Sequence, residues 1–137
     1  MALWASWSSP PRSKSSGGIQ GVHPLGYPDR TAWNEHAQAV RDLIKDVLPQ
    51  VVAFSASNIF FTGVSGGSLT LSGFFVPAFM NESAGTGVLL MCGGLTPQVD
   101  VVGAANFIGN TKIHFQSTRQ ELPSLQPAIP KAVQAYE

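Results

Sequence analysis

The stretch Asn58-Ile59-Phe60-Phe61-Thr62-Gly63-Val64-Ser65-Gly66-Gly67-Ser68 decides the fold of this chain. It opens with β-branched and aromatic residues, which are typical of a strand. A Gly-x-Ser-x-Gly pattern follows at once and leads into an apolar segment, residues 66–80, that has the length of a helix. The stretch therefore predicts a strand that turns sharply into a helix, with Ser65 at the turn.

A serine in such a turn has a specific chemical use. The turn strains the serine backbone, exposes its hydroxyl at the end of a sheet and leaves the next N–H, that of Gly66, free to stabilise an oxyanion. Glycines are expected on both sides because neighbouring segments come close there. Ser65 is therefore a candidate nucleophile. Two other interpretations of the turn remain open: a serine that caps the helix, and a phosphate-binding turn at the helix N-terminus.

The composition is that of one globular domain with few charged residues. The chain has 137 residues, of which 44% are hydrophobic, so we treat residues 1–137 as a single domain. Eight basic and eight acidic residues give no net charge, which predicts no nucleic-acid binding. Only 12% of residues are charged, against a typical value of about 25%. Either the chain buries more surface than usual, or something else covers part of that surface.

Cysteine content and hydropathy narrow the class of protein further. The single cysteine, Cys92, excludes an internal disulfide and a cysteine-rich metal site, so we expect no metal and no cofactor. Cys92 ends an apolar run, residues 87–92, which predicts a buried, inert thiol. No window approaches the ~18 consecutive apolar residues of a membrane span, and the N-terminus lacks the basic region of a signal peptide. These features predict a soluble cytoplasmic protein.

The remaining pattern alternates strands with helices. A strand over residues 2–6 leads into an irregular loop rich in Ser, Gly and Pro, residues 8–30. The later predicted elements are a helix from Thr31 with Trp33, Ala37, Val40, Ile44 and Val47 on one face, a strand over 87–93 buried on both faces, a short helix over 99–107, a strand over 112–116 with His114 in the core, and a last helix from Pro123 or Ser124 to Tyr136. This order predicts an α/β fold with a mostly parallel sheet of about four strands and crossover helices. Such a sheet has two unpaired edges, through which self-association is expected.

This order of elements, with Gly63-Val64-Ser65-Gly66-Gly67 after the second strand, resembles the central and C-terminal part of an α/β-hydrolase. It is most similar to the compact serine esterases of the phospholipase/carboxylesterase or thioesterase kind. The resemblance covers most of the chain, but only the Ser65 turn, the nucleophile elbow, is a specific motif. It implies a partial α/β-hydrolase fold and a small-molecule ester or thioester substrate.

The resemblance also implies positions for the other catalytic groups. The acid of the family follows the strand that corresponds to residues 112–116; Gln120 stands at its expected position, and Glu121 beside it is the possible acid. The family's histidine follows the acid, but the histidines here are His23, His36 and His114. Of these, His23 lies in a loop and is the candidate base. The Gly66 N–H would supply the oxyanion donor, and by this alignment the loop that carries the second donor is missing.

Three functions are compatible with these residues. The first is a serine hydrolase in which Ser65 attacks an ester or thioester, with Glu121 orienting the histidine. The second is a truncated, catalytically inactive portion of such an enzyme that retains the elbow. The third is a non-catalytic α/β domain that binds an anion or nucleotide at the N-terminus of the helix after Ser65, although the chain has neither a P-loop nor a Gly-x-Gly-x-x-Gly motif.

Overall fold

Parallel strands form the centre of this computed structural model, which describes residues 2–5, 30–55, 58–83, 85–107, 109–121, 123 and 125–137, with only the backbone of residues 2–5, 30 and 107. The strands are β1 (Ala2–Ala5), β2 (Phe60–Val64), β3 (Gly87–Met91) and β4 (Lys112–Gln116). They pair in the order β1-β2-β3-β4, and every pair is parallel. The predicted α/β class with a parallel sheet is confirmed.

Helices connect the strands, as crossover connections between parallel strands require. The helix α1 (Arg30–Asp42) passes through a π-helical turn (Leu43–Val47) into α2 (Leu48–Val51). After Ser65 the chain forms α3 (Gly66–Thr70), a second π-helical turn (Leu71–Phe75), α4 (Val76–Phe79) and a 3-10 turn (Met80–Ser83); we call residues 66–79 the elbow helix. The short α5 (Ala104–Phe107) and the final α6 (Ala128–Tyr136) complete the set.

Several element boundaries differ from the predicted ones. The elbow strand begins at Phe60 rather than at residue 58, and β3 ends at Met91 rather than at residue 93. The short helix begins at Ala104 instead of residue 99, and the last helix begins at Ala128 instead of residue 123 or 124, while the strand over residues 112–116 has the predicted bounds. Residues 8–29 of the predicted loop lie outside the described residues, and Arg30 already belongs to α1. None of the helices in the described ranges is long and apolar enough to cross a membrane.

The elbow helix is the centre of the hydrophobic core. It is apolar on every side, a pattern that predicts burial on every side, and this is confirmed. Its buried apolar residues are Leu69, Leu71, Phe74, Phe75 and Val76. Phe75 contacts Phe61 of β2 with ring centroids 4.9 Å apart, and Phe74 contacts Trp33 of α1 at 5.9 Å. The helix therefore lies between the sheet on one side and α1 on the other.

The predicted apolar face of the first helix is buried along most of the helix. Trp33, Ala37 and Ile44 are buried as predicted, but Val47 is 49% exposed. A π-helical turn adds a residue to the helical repeat and so rotates the residues that follow it. Because this turn ends at Val47, Leu48 packs against the core in its place.

The described helices contact one face of the sheet, and none of them covers the other face, which we call the open face. Phe61, Val88 and Leu90 are buried on the covered face, where Phe115 also contacts Tyr136 of α6. The alternate residues of the strands form the open face, on which Phe60 is 55% and Val64 45% exposed.

Two predictions about burial in the sheet are therefore wrong. The strand over residues 87–93 is fully buried on one face only, because its alternate residues remain half-buried. His114 is exposed rather than in the core, because the pleat of β4 directs it to the open face, which no described helix covers.

Candidate active site

Ser65 occupies the turn between β2 and the elbow helix in a strained backbone conformation. Its φ of 53° and ψ of −116° lie in a region that residues other than glycine rarely adopt. Its N–H donates to the carbonyl of Met91 at 2.8 Å, so the strain is held by the end of β3. The side chain is exposed and makes no capping hydrogen bond with the helix. The interpretation of Ser65 as a helix cap is therefore wrong, since a capping serine must accept a helical N–H.

Close packing explains the first glycine of the motif. A Cβ built on Gly63 would lie 2.6 Å from the carbonyl carbon of Gly67 and 2.7 Å from the backbone nitrogen of Ser68. Both are main-chain atoms, which cannot move aside as a flexible side chain can. The strand thus touches the first turn of the helix directly at Gly63. At Gly66, by contrast, a Cβ would meet nothing within 4 Å, so this glycine borders open space next to the serine.

The first turn of the elbow helix supplies hydrogen-bond donors beside the serine. The opening N–H groups of a helix have no partner within the helix, and the helix dipole makes this end partly positive. Gly66 makes no hydrogen bond through its N–H to any residue that the structure describes. A carbonyl oxygen that gains negative charge on attack by Ser65 would meet this donor, as an oxyanion site requires.

Two buried serines tie the elbow helix to β3 and to the segment after it. The side chains of Ser68 and Ser72 are completely buried, one helical turn apart. The Ser68 hydroxyl accepts the N–H of Met91 at 2.8 Å and lies within hydrogen-bond distance of the carbonyls of Gly63, at 2.7 Å, and Met91, at 2.8 Å. The Ser72 hydroxyl accepts the N–H of Leu95 at 2.9 Å and donates to the Ser68 carbonyl.

Cys92 and Glu121 lie together at the carboxyl edge of the sheet, beside the elbow. Cys92 directly follows Met91, whose carbonyl binds the Ser65 N–H. Its thiol donates a hydrogen bond to Glu121; desolvation, this hydrogen bond and the negative charge together raise the pKa of Cys92. Cys92 is half-exposed and has a φ of 57°, so the prediction of a buried thiol in a regular strand is wrong. The chain turns out of the sheet here instead of continuing to residue 93.

Of the two residues considered for the acid, Glu121 rather than Gln120 lies beside Cys92. Glu121 is half-buried and contacts the residue that follows β3, whereas Gln120 is exposed. Ser65 and Gly66 follow β2, Cys92 follows β3, and Glu121, which comes after β4 in the chain, lies beside Cys92. Ligands and catalytic groups of open α/β sheets lie at this edge.

We expect the position of Glu121 to be measurable through Cys92. The carboxylate raises the pKa of the thiol, so Glu121→Gln should lower that pKa and increase the thiolate fraction at pH 8. Iodoacetamide should therefore alkylate Cys92 faster in Glu121→Gln than in the wild type. Gln120→Ala, one residue away and exposed, is the matched control and should leave the rate unchanged. An equal alkylation rate in Glu121→Gln and wild type would show that Glu121 does not lie beside the Cys92 thiol.

The described histidines do not complete the site. His114 lies in β4, two strands from β2. It pairs with Leu89 of β3, which in turn pairs with Thr62 of β2, three residues before Ser65. That places it about 10 Å across and about 10 Å along the sheet from the serine, on the open face. His36 is half-buried in α1 and makes interactions of its own. His23, the candidate base, lies outside the described residues.

Other ligand chemistry has little support in the described ranges. No three His, Cys, Asp or Glu side chains come together there in a way that would hold a metal ion. A small cavity lies between α1 and the elbow helix, but the carboxylate of Glu82 at its edge is already paired with Arg41 and Lys45, each at 3.2 Å.

Comparison of the chain with models of known protein families, with curated proteins and with solved structures finds no match in any of the three.

Sequence reasoning did not single out Ser68 or the exposure of Cys92. A signal for Ser68 was present, because Ser68 and Ser72 are polar residues spaced four apart in a segment that is otherwise apolar on all sides. A buried hydroxyl in such a helix must find a hydrogen-bond partner. No comparable signal existed for Cys92, whose surroundings depend on where the chain turns after β3.

Proposed function

We propose that this chain is a serine hydrolase of the α/β-hydrolase type that acts on a small ester or thioester. One observation carries the proposal: Ser65 has a φ of 53° at a strand-to-helix turn, with an exposed side chain and, beside it, a Gly66 N–H that donates to none of the described residues. Strain of this kind is kept only where the surrounding structure enforces it, and it clusters at active sites. We also propose that the protein is located in the cytoplasm.

The proposed reaction is acyl transfer through the serine. The Ser65 Oγ attacks the carbonyl carbon while a histidine takes the hydroxyl proton, and the Gly66 N–H stabilises the resulting oxyanion. The alcohol or thiol then leaves with that proton, and water releases the acid from the acyl-serine. Glu121 stabilises the histidinium, as its negative charge at the same edge of the sheet allows. His23 is the proposed base.

A second candidate function is a catalytically inactive α/β domain that retains the elbow and binds a small ligand there without turnover. The positions of His36 and His114, neither of which is hydrogen-bonded to Ser65 among the described residues, favour this alternative. A serine without its base retains little activity, because the members of a triad act as a unit.

Labelling with a fluorophosphonate separates these two functions. The reagent forms a bond between phosphorus and the Oγ of an activated serine and releases fluoride. We expect one adduct per chain, mapped by peptide mass spectrometry to the peptide that contains Ser65, together with hydrolysis of p-nitrophenyl acetate. His23→Ala should abolish both, whereas His36→Ala and His114→Ala, the matched controls, should not. Absence of an adduct on folded wild-type protein would contradict the hydrolase and leave the inactive domain.

Self-association through the open face and the outer edge of β4 is also proposed. Phe60 and Val64 expose apolar surface, and exposed strand edges pair readily with other chains. We therefore expect the wild type to elute from size-exclusion chromatography earlier as its concentration rises. Phe60→Gln should weaken this dependence. Val51→Gln, which removes an apolar side chain that is 70% exposed at the end of α2, is the control and should not. Monomeric wild type at high concentration would contradict the proposal.

A further inference from the structure

The Ser68 hydroxyl is inserted into the hydrogen bonding between β2 and β3 at the point where the elbow begins. In a regular parallel ladder the N–H and carbonyl of one residue bind the two residues that flank its partner. Met91 is the partner of Val64, so its N–H would go to Gly63 and its carbonyl to Ser65. The carbonyl does bind the Ser65 N–H, at 2.8 Å. The Met91 N–H, however, donates to the Ser68 Oγ, which lies 2.7 Å from the Gly63 carbonyl.

The hydroxyl can therefore connect three segments at once. It accepts from the end of β3, lies within donating distance of the carbonyls of Gly63 at the end of β2 and of Met91, and belongs to the first turn of the elbow helix. Removing this buried hydroxyl takes one hydrogen-bond partner from each of two main-chain groups, the Met91 N–H and the Gly63 carbonyl, and so weakens the junction of the strands. The residues so connected, 63 and 91, are those that hold the strained serine from either side.

We propose that Ser68 is a positioning residue for the nucleophile, one that holds the backbone of Ser65 and Gly66 in the geometry needed for attack and oxyanion binding. This inference rests on the proposed function and goes beyond it, because Ser68 is completely buried and acts only through the backbone. Its hydroxyl binds the N–H of Met91, the carbonyl of the same residue binds the Ser65 N–H, and the helix that begins at Gly66 is thereby set against the strands.

The structure contains a matched control one turn further along the helix. Ser72 is also a completely buried serine whose hydroxyl accepts a main-chain N–H, that of Leu95, and donates to a main-chain carbonyl, that of Ser68. Its removal leaves a comparable loss of buried hydrogen bonds, but the groups it holds do not include the elbow. Ser68→Ala and Ser72→Ala thus separate a general loss of stability from a specific loss of elbow geometry.

Native-state amide hydrogen exchange measures how firmly each of these backbone N–H groups is held. In Ser68→Ala we expect exchange at the amides of Met91 and Ser65 to accelerate about tenfold or more, while the Leu95 amide keeps its wild-type rate. Ser72→Ala should show the reverse pattern. Ser68→Cys, which keeps the shape of the side chain but replaces the hydroxyl with a weakly bonding thiol, gives the same test if Ser68→Ala does not fold. An unchanged Ser65 amide in the Ser68 variant, or equal acceleration in both variants, would overturn the proposal.

The rate of fluorophosphonate labelling tests whether Ser68 also affects the reactivity of the Ser65 hydroxyl. Ser68→Ala should label about tenfold more slowly than the wild type, since displacing a nucleophile from its productive geometry lowers its reactivity, and Ser72→Ala should label at the wild-type rate. Equal labelling rates in Ser68→Ala and wild type would contradict the positioning role. A wild type that does not label contradicts the proposed hydrolase activity instead, and the exchange pattern still decides the role of Ser68.

Discussion

Gly63→Ala is expected to disrupt the elbow and to destabilise the protein by about 3 kcal/mol or more, at the upper end of the usual range for overpacking. The added Cβ would lie 2.6–2.7 Å from main-chain atoms of Gly67 and Ser68, a separation that real Cβ atoms essentially never show. Relief requires either β2 or the elbow helix to move. The helix carries much of the hydrophobic core, so its displacement exposes apolar surface as well. Chemical denaturation, read by tryptophan fluorescence, measures the effect.

Gly66→Ala is the matched control, three residues away in the same motif. Nothing lies within 4 Å of the Cβ that it adds, and the residue occupies the first turn of a helix, where alanine is favoured over glycine. We expect no loss of stability and a gain of up to about 1 kcal/mol. Equal destabilisation by both substitutions would show that the contact at Gly63 does not limit the fold.

Ser65→Ala and Ser65→Gly are expected to abolish hydrolysis and fluorophosphonate labelling, because both remove the nucleophile. For an assembled site the loss is about a millionfold, down to background hydrolysis of p-nitrophenyl acetate. Hydrolysis by either variant at the wild-type rate would contradict the role of Ser65.

The same pair of variants tests the backbone strain independently of activity. Alanine retains the strain of a positive φ, which is of order 1–3 kcal/mol, whereas glycine relieves it at a loss of about 0.5–1 kcal/mol in chain entropy. Ser65→Gly should therefore be more stable than Ser65→Ala by about 1 kcal/mol. At Ala39, an exposed residue within α1, the usual order holds, and Ala39→Gly should cost about 1 kcal/mol. A Ser65→Gly variant less stable than Ser65→Ala would contradict the strained turn.

The fold class and the elbow were predictable because their signals are local. A β-branched and aromatic run, two flanking glycines and a helix apolar on all sides each act through neighbouring residues, and the structure confirms the strand, the turn and the buried helix around Ser65. The strand over residues 112–116 was predicted with its exact bounds for the same reason. Periodicity alone, however, could not show which face of that strand the helices cover.

The surroundings of the sheet residues and of Glu121 were less predictable because they depend on the tertiary fold. Glu121 and Gln120 are adjacent in sequence, and only the path of the chain after β4 makes Glu121 the one that contacts Cys92. The exposure of His114 follows from an open sheet face, which depends on where all the helices pack. The ladder position of Ser68 likewise requires the register of β2 against β3.

The sequence by itself therefore determined that a strand turns into a buried helix at Ser65, since glycine, β-branched and apolar residues fix local backbone and burial. Only the tertiary structure decided what surrounds that serine. It placed Met91 against its N–H, a buried hydroxyl from Ser68 between the strands and Glu121 at the neighbouring strand ends. The physical reason is that these contacts join residues 23 or more positions apart, whose distance is set by strand register and helix packing rather than by local propensity.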